Sequence, residues 1–140
     1  MPTLSRWFIK AGIIYFVISL LLALLIKLPA LSGAWSGLQF FRPVFYHTLM
    51  VGWITQIIIG VSIWMFPRHT RQQPRGSEAL GWWCFYLLNA GLALRVVVEP
   101  LLRISPLSLW KVLIAISTIA QWIAGMLYII NIWKRVKARP

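Results

Sequence analysis

RPVFYHTLMVGWITQIIIGVSIWMFPR, running from Arg42 to Arg68, is an apolar run bearing glycine and tryptophan, with one histidine, His47, about one turn inside its start. Its central residues are long enough as a helix to cross roughly 30 Å of hydrocarbon at 1.5 Å per residue. A histidine so close to hydrocarbon is a ligand, a hydrogen-bonded packing residue or an interface anchor. Which of these it is depends on the rest of the chain.

The chain of 140 residues is 60% hydrophobic and only 11% charged, more apolar side chain than one soluble core of this size can bury. It reads as an integral membrane protein. Nine Trp, seven Phe and four Tyr fall mostly near the ends of the apolar runs, where amphipathic rings favour the headgroup region. Fourteen Lys and Arg against two acidic residues give a formal charge of +12. The cations are scattered in short groups between long apolar segments, so they form no nucleic-acid face and no nucleic-acid partner is expected. Cys84 is the single cysteine, so no intrachain disulfide can form, and it reads as a small buried hydrophobe.

Four spans follow: Phe8 to Leu28, Phe45 to Phe66, Ala79 to Val98, and Leu107 to Trp133. The pieces between them, LPALSGAWSG, PRHTRQQPRGSE and EPLLRISP, carry turn residues. The expected fold is all-α, a bundle of four transmembrane helices forming a single domain over residues 1–140, with the lipid bilayer as its surroundings. Arg6, Lys10, Arg68, Arg71, Arg75, Lys134, Arg135, Lys137 and Arg139 lie on one side, and Lys27, Arg42, Arg95, Arg103 and Lys111 on the other. That bias places both termini in the cytoplasm and His47 near the outer face of the cell's inner (plasma) membrane. Lys27 stands where a signal-peptide cleavage region would be small and neutral, so the first run is expected to remain as a helix. The tail KRVKARP reads as a cytoplasmic anchor beside anionic lipid, with no specific partner required.

At about 100° per residue, Gly52, Gln56 and Gly60 share one stripe of the second helix, and small residues at that spacing let a neighbouring helix approach closely. His47 lies on the other side, in line with Val51, Ile54, Ile58 and Met65, facing lipid, another helix or a cofactor. In the third helix Arg95 and Glu99 are four apart and can pair with each other. Ser117, Gln121, Gly125 and Tyr128 make a polar and small-residue stripe on the fourth helix, explained most simply by helix packing, and Asn89 has the same character.

The second run resembles the second transmembrane helix of subunit I of the heme-copper oxidases, especially the cbb-type oxidases and the related nitric oxide reductases. The resemblance rests on Arg42-Pro43 before the histidine, His47-Thr48, Gly52-Trp53, Gly60 and Pro67-Arg68, preceded by a first helix, WFIKAGIIYFVISLLLALLI, of the family's character. Across the first four helices, only the second carries motif content. What the resemblance implies is that His47 is an axial ligand of a b-type heme, and so the one metal ligand. Conditional on that heme, Arg95 and Arg42 would meet its propionates.

The sequence departs from the family in lacking its second low-spin ligand and its three copper histidines. The only other histidine, His69, sits in PRHTR, expected across the membrane from His47. No heme-copper centre is therefore expected within this chain. The sixth ligand would come from a second copy across a two-fold axis, from a partner subunit, or from nothing. The sequence shows no nucleophile and base pair, carboxylate pair, phosphate loop or Cys/His zinc spacing, so no catalytic residues and no independent enzyme are expected. One expectation is a heme b protein that transfers electrons or binds a gas in a respiratory complex, as a homodimer or within a hetero-complex. The other is a heme-free accessory or assembly subunit, in which the Gly52, Gln56 and Gly60 stripe matters and His47 does not.

Overall fold

The computed structural model describes residues 1–28, 36–67, 76–105, 107–133 and 135–136. His69, the cations Arg68, Arg71, Arg75, Lys134, Lys137 and Arg139, and most of the LPALSGAWSG segment lie outside the described residues. Among the described residues four helices are each long and apolar enough to cross a membrane: α1 (Thr3–Lys27), α2 (Gly37–Met65), α3 (Glu78–Ile104) and α4 (Ser108–Trp133). The described residues are all-helical, and the four apolar helices make this a multi-pass membrane protein. Rows of exposed apolar side chains, such as Ile13, Ile14, Val17, Leu20, Leu21 and Leu24 on α1, present the hydrocarbon-facing surface.

The helices overrun the apolar spans read from sequence. α1 starts at Thr3 rather than Phe8, and α3 continues past Val98, through Pro100, to Ile104. Hydropathy marks where hydrocarbon lies, whereas the backbone hydrogen-bond ladder continues into the polar region until a residue ends it. Ser77 caps the start of α3 by accepting from Leu80 N–H, with acidic Glu78 in the first turn. Asn131 of α4 joins that start to its own helix, receiving Ser77 N–H at 2.9 Å and donating to Ser77 O at 3.1 Å.

α2 is not uniform. A 3₁₀ turn, Ser36–Phe41, leads into α-helical Arg42–His47, a π-helical stretch Thr48–Thr55, and α-helical Gln56–Met65. Thr48 Oγ1 lies within hydrogen-bond reach of Val44 O and Phe45 O, and Thr55 Oγ1 donates five residues back to Met50 O at 2.9 Å. Hydroxyls that take up carbonyls of the preceding turn loosen the ordinary i→i−4 ladder.

Packing follows the small residues. A Cβ on Gly60 would stand 3.0 Å from Phe8 Cβ and 3.1 Å from Ser5 O, and one on Gly52 would stand 2.7 Å from Tyr15 Cβ. The Gly stripe is thus the surface on which α2 lies against α1. Gln56, in the same stripe, is fully buried and turned towards α3. Leu4, Phe8, Ile59, Ile63, Cys84, Leu88 and Ala124 form the core where all four helices meet, with Phe8 and Phe85 edge-to-face at 5.1 Å. α4 packs chiefly along α3.

Gly60→Leu should force α1 and α2 apart and lower the thermal midpoint in detergent by several degrees, whereas Gly125→Ala, with nothing within 4 Å of its Cβ, should leave it unchanged. Equal midpoints for the two variants would remove the close-approach role of Gly60.

Candidate functional site

His47 ends the first α-helical part of α2, where Pro43 fixes the entry of the helix and leaves its own carbonyl to the ring one turn on. His47 Nδ1 is 2.8 Å from Pro43 O, and Nε2 is 2.8 Å from Arg95 Nη1. A carbonyl only accepts and a guanidinium only donates, so the tautomer is decided: Nδ1 carries the proton and Nε2 offers its lone pair. Glu99 Oε2 lies 3.3 Å from Nδ1 but makes no hydrogen bond, because that N–H is aimed at Pro43. The Glu99 side chain is 14% exposed, so its charge sits beside an edge of the imidazole that already has a partner.

Arg95 joins three helices. From α3 it donates to His47 on α2 and, on α4, through Nε to Ser117 Oγ at 3.3 Å and through Nη2 to Thr118 Oγ1. Ser117 Oγ in turn donates to Gly91 O at 2.7 Å, and Thr118 Oγ1 to Ile114 O at 2.9 Å. All three acceptors on Arg95 are uncharged. Its positive charge is hydrogen-bonded but not neutralised by any of them.

Below this cluster α2 and α4 separate, leaving a groove of about 610 Å³ between them, floored by α3. His47, Val51, Thr55 and Ile58 line one wall, and Thr118, Gln121, Trp122 and Gly125 the other. The volume lies within the roughly 300–1,000 Å³ of small-molecule and cofactor sites. The groove is bounded by polar links at both ends. Arg95 spans it at the His47 end, and at the far end Ser62 Oγ and Tyr128 OH meet at 2.9 Å. Midway, Gln56 and Asn89 exchange two amide hydrogen bonds at 3.1 and 3.2 Å.

Of the residues singled out from sequence, His47 and Arg95 are brought into contact, and Arg42 is not part of their groove. It lines two other recesses, one with Gln39, Phe40, Pro43 and Arg103 and one with Ala23, Ile26, Lys27, Phe45 and Tyr46. The Arg95–Glu99 pairing expected from their spacing of four is replaced by contacts across helices, with both residues turned to His47. The line of residues below His47 also differs, since Thr55 rather than Ile54 faces the groove and Met65 lies beyond it. A π-helical stretch holds more residues per turn than the 100° spacing assumes. On the α4 stripe Gln121, Gly125 and Tyr128 line the groove, and Ser117, Gln121 and Tyr128 also make packing hydrogen bonds, Ser117 to Gly91 O, Gln121 to Ser117 Oγ and Tyr128 with Ser62. Sequence reading passed over Thr118, whose signal is its place beside Ser117 one turn from Gln121.

Among the described residues no three His, Cys, Asp or Glu side chains come together as a metal-binding group. A metal taken up in this groove would have His47 Nε2 as its ligand from this chain. The arrangement defines a membrane protein with a groove between two of its apolar helices, headed by an imidazole lone pair and a cation. Compared with protein families, with curated proteins and with solved structures, the chain matches none.

The Gln56–Asn89 pair between α2 and α3 sets a stability test. Gln56→Leu or Asn89→Leu alone should each cost about 1–3 kcal/mol by leaving the partner amide with an unmet hydrogen bond, and the double variant should cost less than their sum. Strictly additive losses in denaturant unfolding would mean that the two amides do not depend on each other.

Proposed function

We propose that this protein is a small heme b subunit of a respiratory complex in the cell's inner membrane, with both termini cytoplasmic, serving electron transfer or gas binding. The observation that carries the reading is His47: its Nδ1–H is committed to Pro43 O, so the unprotonated Nε2 faces a groove of about 610 Å³ beside an arginine with only neutral partners. An imidazole held by its other nitrogen is the form in which histidine ligates metal. Trp122, Ile58 and Ile129 give the groove apolar walls suited to a large flat ring. Bound there, heme would supply one-electron redox chemistry or an open coordination position. His47 is the residue that would hold it, and Arg95, once off Nε2, is the cation on this face that would meet its propionates.

The ring is turned into the groove of its own chain, its side chain 29% exposed, which favours one heme per chain over a heme shared by two His47 residues across an axis. A heme-free accessory subunit is the competing reading, and it has its own support: both ring nitrogens of His47 are satisfied within the chain, so the cluster also works as a structural tie.

Absorption spectroscopy decides between them. Wild-type protein reconstituted with heme should show a b-type spectrum with about one heme per chain, and His47→Ala should lose it. Gly125→Leu, which fills the groove without meeting any heavy atom at Cβ, should reduce uptake while the helices and the His47–Arg95 contact remain. Reduced protein that then binds carbon monoxide is five-coordinate, whereas resistance means that a partner completes the iron. Colourless wild type, with its partner subunits present, leaves the accessory reading.

Sidedness is tested separately. Reporter fusions after Pro74 and at Pro140 should agree with each other and disagree with one at Ser36. An outside location at Pro74 would invert the orientation.

A further inference from the structure

Away from the groove, the same end of the bundle collects cations that neither acidic side chain of the protein meets. Lys27 ends α1, Arg42 opens the α-helical part of α2, and Arg103 lies in the last turn of α3. Arg42 is common to two recesses. One, of about 300 Å³, runs between it and Arg103, and the other, of about 230 Å³, lies between it and Lys27. None of the three side chains has a hydrogen bond or ion pair among the described residues, and all are exposed. The sequence shows why. Residues 28–41 contain no acidic side chain, Glu78 starts α3 at the opposite end, and Glu99 is turned to His47. The anion these cations meet must come from outside the chain.

The recesses say what kind of anion. The one beside Lys27 lies in the α1–α2 seam and has apolar walls, Ala23, Ile26, Phe45 and the ring of Tyr46. The one beside Arg103 has the amide of Gln39 beside the two guanidinium groups. Cations at helix ends above an apolar seam match a headgroup phosphate with its acyl chain below it. An acidic segment of a partner protein would supply charge but would leave the seam unfilled.

We propose that Arg42, flanked by Lys27 and Arg103, binds the phosphate of an anionic phospholipid whose acyl chain lies in the seam formed by Ile26, Phe45 and Tyr46. The site uses neither His47 nor the α2–α4 groove and is independent of heme.

The test is native mass spectrometry of the full chain in non-ionic detergent, titrated with phosphatidylglycerol or with phosphatidylcholine. Wild type should retain phosphatidylglycerol preferentially. Arg42→Gln should weaken that retention about fivefold and Arg42→Gln with Arg103→Gln about thirtyfold, at roughly 1 kcal/mol for each cation beside the lipid. Lys111→Gln, an exposed cation of α4 outside both recesses, should leave it unchanged. Circular dichroism of each variant checks that helix content is retained, and heme-free and heme-reconstituted protein should behave alike. Equal losses in Lys111→Gln reduce the effect to general surface charge and overturn the site. Displacement of the lipid by excess inorganic phosphate assigns the recesses to small phosphates and overturns the lipid. No preference for phosphatidylglycerol over phosphatidylcholine also overturns it and leaves an acidic protein partner.

Discussion

Two carboxylates cannot neutralise fourteen cations, and the architecture is organised by where the remaining charge goes. Within the bundle, Arg95 and Arg135 each donate to neutral acceptors on other helices. Arg135, only 2% exposed, donates to Ile63 O, Phe66 O and Pro67 O at 2.8–3.1 Å, supplying donors to carbonyls that the end of α2 leaves without partners. Arg95 spreads its donors over an imidazole and two hydroxyls on two other helices. Each arginine therefore acts as a tie between helices, one at each end of the α2–α4 gap.

Those ties explain how a gap survives between two helices of one bundle. In hydrocarbon no hydrophobic force draws α2 and α4 together, so contact depends on close packing and hydrogen bonds. α2 has its close packing with α1, through Gly52 and Gly60, and α4 has Ser117 seated on Gly91 O of α3. Across the gap itself run polar links, Arg95 at one end and Ser62–Tyr128 and Arg135 at the other. Gly125, with open space where its Cβ would be, marks the stretch of α4 that no helix covers.

The spans were legible in the sequence because hydropathy reports burial in lipid directly, and the Gly52–Gly60 stripe because a repeat of four or eight places residues on one face of any nearly regular helix. The helix ends were less legible, since backbone hydrogen bonding continues beyond the apolar window, and this is why Arg95 and Glu99 lie well inside α3. Spacing reveals only neighbours on the same helix. It paired Arg95 with Glu99, whereas the fork of Arg95 reaches α4 and Glu99 turns to α2. The π-helical stretch changed the phase below His47, exchanging Ile54 for Thr55 in the groove. Arg135 read as part of an anchoring tail because its acceptors are backbone carbonyls of another helix, which have no signature in sequence.

The hydrogen bond between Arg95 and His47 Nε2 also constrains what the groove can accept. A charge-assisted hydrogen bond is worth roughly 2 kcal/mol, and a bare metal ion taking Nε2 would break it while adding further positive charge beside the guanidinium. An anion alone would draw Arg95 away but leave the Nε2 lone pair without a donor in a largely apolar cleft. The two groups are best released together, by a ligand that offers an electron-pair acceptor to Nε2 and an anionic group to Arg95 while filling apolar space along Val51, Ile58 and Trp122. The heme proposed for this groove, a metal chelated in a flat apolar ring with carboxylate arms, would meet all three requirements. The same demand disfavours simple metal storage and simple anion binding at this site, although each would use one of the residues that line it.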